Sequence, residues 1–441
     1  MKKYIFVVSL LCLLAACTGK RQGEAAVEIA ALPAVEDVVM YQVNPRVFAP
    51  EKSFKAVERR LDSIQTLGIN VVWFMPINEV GQEKSVNSPY CVKDYKGVNP
   101  EFGTLDEFKA LVATCHQKGM NVIIDWVANH TSWDNAWIAN KEWYTQDEAG
   151  NIIFPAGTGW KDVADLNFDN QEMRLAMIEA MKFWVTEIGI DGFRCDAADF
   201  VPFDFWKQAL DSLRAIPDRS LLMLAEGKRR DHFDAGFDMN YSWDFLDSLR
   251  DVFVKDAPAQ ELFATYKAEY DTIPVGKVKL RFTTNHDESA KMSPTKEFGD
   301  VRGSMAAFVL TTYLHGGALI YGSQEAGYPE AINFFTYVPV DWTGNSELYQ
   351  EYCRLMALYN EYPAIRKGGL KTYPQPDVLL FEKQDGKDRV LVAVNVRNRE
   401  VNVTLPQEWN GHPSRDMYSG TEKKLEAELS LCPYQYRIFK Y

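Results

Sequence analysis

Short runs of apolar and β-branched residues alternate along most of the chain with longer stretches in which apolar positions recur every third and fourth residue. The short runs, at 38–43, 71–75, 122–125, 192–196, 221–226, 236–240, 281–285 and 318–321, read as strands. The longer ones, among them 53–67, 105–118, 172–187 and 301–314, read as helices with one apolar face. Thr104 followed by Glu107 adds a capping-box signature. This alternation predicts an α/β fold on a parallel sheet, and eight strands are the number that closes such a sheet into a (β/α)8 TIM barrel.

The rhythm breaks in three places. Residues 131–170 hold Trp133, Trp137, Trp143, Trp160 and several glycines without helical periodicity, which predicts a small subdomain inserted after the third strand and overhanging the barrel mouth. Past the barrel, expected over 35–369, apolar and polar residues alternate at 378–383, 390–396, 401–405 and 434–439, with a turn at Asp385 and Gly386. That pattern predicts a C-terminal antiparallel β domain, a β-sandwich, over 370–441. At the other end Lys2 and Lys3 precede an apolar run, 4–16, too short to span a bilayer and suited to a signal peptide. Leu14-Ala15-Ala16-Cys17 resembles the lipobox of bacterial lipoproteins. The resemblance implies removal of 1–16, lipidation of Cys17, a tether over 17–34 and a membrane anchor at the envelope of a bacterium.

Composition narrows the function. The chain has 441 residues, 46% of them hydrophobic, enough for a large core. A formal net charge of -13 opposes capture of nucleic acid, whose phosphates it would repel. Two of the seven cysteines fall in the export segment, and no CxxC pair occurs, so neither a zinc site nor a disulfide framework is expected. The remaining cysteines read as small apolar fillers.

Candidate chemistry sits where predicted strands end, because barrel enzymes build their sites on the loops at that face. Four strands finish in acids or acid-containing turns, at Asp125, Asp196, Glu226 and Asp287. Arg194 and Asp196, two apart on a strand, share a face, so the guanidinium can hold the aspartate ionised. Glu226, one strand further round, would face that fixed negative charge and keep its proton. Two carboxyls with split proton affinities are what cleavage of a glycosidic bond requires.

The segments Asp125-Trp-Val-Ala-Asn129-His130, Gly192-Phe-Arg194-Cys-Asp196, Ala225-Glu226-Gly227 and Phe282-Thr-Thr-Asn285-His286-Asp287 resemble, in order, the four signature regions of the α-amylase family of glycoside hydrolases, family 13. The resemblance spans roughly 38–370. It implies Asp196 as nucleophile, Glu226 as general acid/base and Asp287 as the third acid, with retention of the α configuration through a covalent glycosyl-enzyme. It also implies sugar contacts from His130 and His286, Arg194 beside the nucleophile, and Tyr90 stacked on the sugar at the cleavage point. No cofactor is required. Asn129 stands where α-amylases place a calcium ligand, a single amide for an ion that wants six to eight oxygens.

The expected substrate is a starch-derived or related α-gluco-oligosaccharide. Two alternatives remain at this level: a transglycosylase on the same substrates, and a non-catalytic glucan-binding relative. One departure bears on the leaving-group side. Many α-amylases carry a Lys-His pair shortly after the nucleophile, where this chain has Asp199-Phe200.

Overall fold

The structure is a computed structural model and describes residues 31–441. The signal peptide expected over 1–16 and the lipidation expected at Cys17 lie outside the described residues, as does most of the tether. Eight parallel strands, β1 (Val39–Val43), β2 (Val71–Phe74), β3 (Asn121–Trp126), β4 (Gly192–Cys195), β5 (Leu222–Ala225), β6 (Met239–Tyr241), β7 (Val278–Arg281) and β8 (Gly317–Tyr321), close into a barrel in sequence order, with β8 returning to β1. Their residues are buried throughout, which is why these runs are nearly continuously apolar.

Helices cover the outside, most of them burying one face, whereas Val301–Tyr313 is buried all round from Gly303 onward. Leu105–Gln117 starts with the expected capping box, Thr104 Oγ1 accepting from the Glu107 amide and Glu107 accepting from the Thr104 amide. The stretch 53–67 is two short helices, Ser53–Glu58 and Leu61–Thr66. The break falls at Arg59 and Arg60, and the Arg60 guanidinium lies 4.4 Å from the Trp342 ring.

Two strands differ from expectation. The sixth begins at Met239, because Gly236 (φ 116) is the left-handed stop of the helix Asp231–Ala235 and so belongs to the preceding element. The seventh ends at Arg281, where it was expected to begin. Lys279 and Arg281 give it the look of a half-exposed segment, yet both are buried, with Arg281 Nη2 3.0 Å from Glu269 Oε2.

The inserted stretch contains strand as well as loop. His130–Ser132 pairs antiparallel with Val163–Asp165, and single bridges join Tyr144 to Leu166 and Gln146 to Ile152. Beyond the barrel, six antiparallel strands form one sheet, and Val401–Thr404 pairs with Glu428–Leu431 in a second. Val378, Leu380, Leu391, Val403, Trp409 and Phe439 fill the layer between them.

Candidate active site

The C-terminal ends of the barrel strands open into a cleft of about 540 Å³. At its floor lies Arg194 on β4, fully buried, with its guanidinium 5.2 Å from the Trp73 ring and 5.6 Å from the Tyr241 ring. Nη1 donates to Asp125 Oδ1 at 2.6 Å and to Asp196 Oδ1 at 2.8 Å, Nε donates to the Tyr241 hydroxyl at 3.1 Å, and Nη2 stands 3.0 Å from Glu226 Oε2. The planar fork therefore gathers carboxyls from the ends of three neighbouring strands, a task for which lysine lacks the geometry.

The expected Arg194–Asp196 contact is one of several that this guanidinium makes. Glu226 shares the same cation and also accepts from the Ala197 amide at 2.6 Å. Burial raises the Asp196 carboxyl well above its ordinary range, Glu226 adds to the rise, and Arg194 pulls against both. Asp125, sealed beneath, is pushed up to about 7 by burial even with Arg194 beside it. The cluster carries more negative charge than one guanidinium balances, so it holds on to a proton near neutral pH.

Tyr90 closes the near wall. Its ring stacks on His286 with centroids 5.4 Å apart, and its hydroxyl donates to Asp125 Oδ2 at 3.1 Å while lying 2.6 Å from His286 Nε2. Gln42, from β1, places its amide nitrogen 2.7 Å from His286 Nδ1. Because that amide nitrogen only donates, Nδ1 is the acceptor, and Nε2 carries the proton given to the Tyr90 oxygen. Burial lowers His286 to about 3 and His130 to about 4, so both rings are neutral at physiological pH.

The predicted site residues come together with one difference of position. Asp287 does not end a strand. It sits in the helical turn His286–Ser289, which Asn285 caps by accepting from the Glu288 amide. From there it faces the same cleft, and burial raises its carboxyl. His130 opens the inserted hairpin and lines the cleft beside Trp160, with ring centroids 5.6 Å apart. Trp160 meets the exposed Phe200 at 5.6 Å, and Trp243, Phe334 and Phe335 complete an aromatic wall. Neutral rings of this kind suit the apolar faces of uncharged sugars.

Sequence reasoning missed Gln42, Tyr241 and the Ala197 amide. Gln42 and Tyr241 stand at or next to the ends of β1 and β6, so a census of every polar strand end would have found them. The Ala197 amide has no signature in sequence, because it points at Glu226 only through a left-handed backbone (φ 44). The Asn129 amide nitrogen lies 3.3 Å from His130 Nδ1, which leaves its Oδ1, the atom that would face a cation, outside that contact. Among the described residues no group of three or more His, Cys, Asp or Glu side chains is placed to hold a metal. No disulfide joins Cys91, Cys115, Cys195, Cys353 and Cys432. The first three are the buried fillers expected, whereas Cys432 is exposed.

The chain is similar to known proteins along nearly its whole described length. A cyclomaltodextrinase of Geobacillus thermopakistaniensis is 26% identical over 92% of this chain and 77% of its own. Alpha-amylase MalA of Haloarcula japonica is 25% identical over 87% of this chain and 58% of its own. In structure, a noncanonic maltogenic α-amylase from Thermotoga neapolitana superposes with a TM-score of 0.84 at 26% identity, covering 93% of this chain and 99% of that one. The C-terminal sheets match the maltogenic amylase C-terminal domain over 370–438, and the barrel matches the α-amylase catalytic domain over 53–151 and 140–347. The chain belongs to the α-amylase family of glycoside hydrolases.

Proposed function

We propose that the protein hydrolyses α-glucosidic bonds in starch-derived or related oligosaccharides, with Asp196 as nucleophile, Glu226 as general acid/base and Asp287 as the acid that holds sugar hydroxyls. The observation that carries the reading is the convergence of Asp196 and Glu226 on one buried arginine at the floor of an aromatic cleft. Stacked on Tyr90, the sugar at the cleavage point would present its anomeric carbon to Asp196. Attack by the carboxylate forms a carbon–oxygen bond to the anomeric carbon as the glycosidic bond breaks, and Glu226 passes its proton to the departing oxygen. Water then enters, gives a proton back to Glu226 and displaces Asp196 from the sugar, restoring the α configuration. Arg194 favours the ionised nucleophile through its 2.8 Å contact, against the rise that burial imposes.

Asp196→Asn is expected to keep oligosaccharide binding and lose turnover on maltoheptaose and pullulan. Full activity in that variant contradicts the assignment. Export and anchoring through a lipid on Cys17 belong to the same proposal, supported by the charged, apolar and small-residue order of the first seventeen positions. Metabolic labelling with a radiolabelled fatty acid, lost in Cys17→Ala, tests it.

A further inference from the structure

The segment after Asp196 and the segment carrying Glu226 are laced into one unit. The Glu226 amide donates to the Cys195 carbonyl at 2.9 Å, and the Ala198 amide donates to the Glu226 carbonyl at 3.0 Å. The Ala197 amide donates to Glu226 Oε2 at 2.6 Å. To aim that amide at the carboxyl, Ala197 adopts a left-handed backbone (φ 44, ψ 40), a conformation that side-chain-bearing residues avoid. Something must hold the seam together against it.

Asp199 occupies that place. Its Oδ2 accepts from the Lys228 amide at 3.2 Å, its Oδ1 accepts from the Arg229 amide at 3.3 Å, and its carbonyl accepts from Arg229 Nη1 at 3.0 Å. The buried His232 brings Nε2 to 3.3 Å from Oδ1. Gly227 lies in between at φ +151, and a Cβ there would fall 2.4 Å from Asp199 Oδ1, so the glycine leaves room for the carboxylate. The next residue, Phe200, is exposed and lines the cleft beside Asp199. The Asp199 carboxylate thus accepts from two backbone amides, which a lysine at this position could not do.

We infer that Asp199 is a positioning residue for proton transfer: by accepting from the amides at 228 and 229 it holds the loop that carries Glu226, and so keeps the acid/base carboxyl on the Ala197 amide and aimed at the departing oxygen. The inference rests on Glu226 being the acid/base, and the test separates the two. A misplaced acid slows the departure of poor leaving groups and spares leaving groups that need no proton.

The experiment measures kcat/KM on α-maltosyl fluoride and on aryl α-maltosides of graded leaving-group pKa. These place no sugar on the leaving side, so a lost sugar contact cannot mimic the effect. Glu226→Gln should lose about 10²–10⁴-fold on the poorest leaving group while fluoride turnover stays close to wild type. Asp199→Ala should show the same trend with a shallower slope, about 10–100-fold on the poorest leaving group, with Asp199→Asn between it and wild type. If Asp199→Ala does not fold, Gly227→Ala, which drives a methyl into the Asp199 carboxylate, should give the same slope. A loss equal across all leaving groups overturns the inference, and so does a loss confined to maltooligosaccharides, which would make Asp199 a sugar contact. If Glu226→Gln itself shows no dependence on the leaving group, the acid/base assignment fails first.

Discussion

Replacing Arg194 by methionine removes the guanidinium that touches Asp125, Asp196 and Glu226, while keeping an apolar chain of similar length. Removing one partner of a buried ion pair costs about 3–5 kcal/mol. The cost should depend on pH in a specific way. Asp125 sits at about 7 in the folded protein, pushed up by burial, against about 3.9 for an unfolded aspartate. A raised carboxyl stabilises the fold below the unfolded value, and that stability is lost as pH rises from about 4 to about 7, at up to about 1.4 kcal/mol per pH unit. Above 7 the wild-type contribution levels off. Without Arg194 the folded value of Asp125 moves higher still, so its contribution keeps falling past pH 7 in the variant and has levelled off in the wild type. Urea denaturation followed by tryptophan fluorescence at pH 5.5, 7 and 8.5 should show a gap between the two proteins that widens with pH. A gap that is constant or narrows toward pH 8.5 refutes the reasoning.

Three further outcomes follow from the site and its supports. Tyr90→Phe keeps the ring but removes the hydroxyl that donates to Asp125 Oδ2 and accepts from His286 Nε2, and should cost about 1–3 kcal/mol, read as a fall in kcat with KM little changed. Since burial holds His130 at about 4 and His286 at about 3, neither should titrate between pH 5 and 8, and imidazole proton resonances followed over that range should stay flat for both. Thr104→Ala removes the capping box of a helix far from the chemistry and should cost about 1 kcal/mol of stability by denaturation with kcat/KM unchanged.

Much of the site was legible because its chemistry sits at strand ends, and strand ends are what hydrophobic periodicity marks. Asp125, Asp196 and Glu226 each close an apolar run, and the structure brings all three to Arg194. Asp287 was found by its surrounding motif, while its element was misplaced: Lys279 and Arg281 are charged yet buried, Arg281 against Glu269, a pairing that local pattern cannot show. The sixth strand slipped for a related reason, since Gly236 reads as the start of a strand when taken alone and as the end of a helix once its left-handed backbone is seen. The division of Arg194 among three acids was not legible, because Arg194 and Asp196 are neighbours on one strand while Asp125 and Glu226 arrive from two others. Asp199 shows the same limit in reverse. Its sequence position pointed to the leaving group, and its geometry points to the backbone that carries Glu226.

The most direct test of a covalent mechanism centred on Asp196 is to trap the intermediate. Incubation with 5-fluoro-α-glucosyl fluoride, followed by peptic digestion and mass mapping, should place a single sugar on the peptide containing Gly192–Cys195 and Asp196, with fragmentation assigning it to Asp196. A label on Glu226 or Asp287, or release of β-configured product with no label at all, would contradict the assignment of nucleophile and acid.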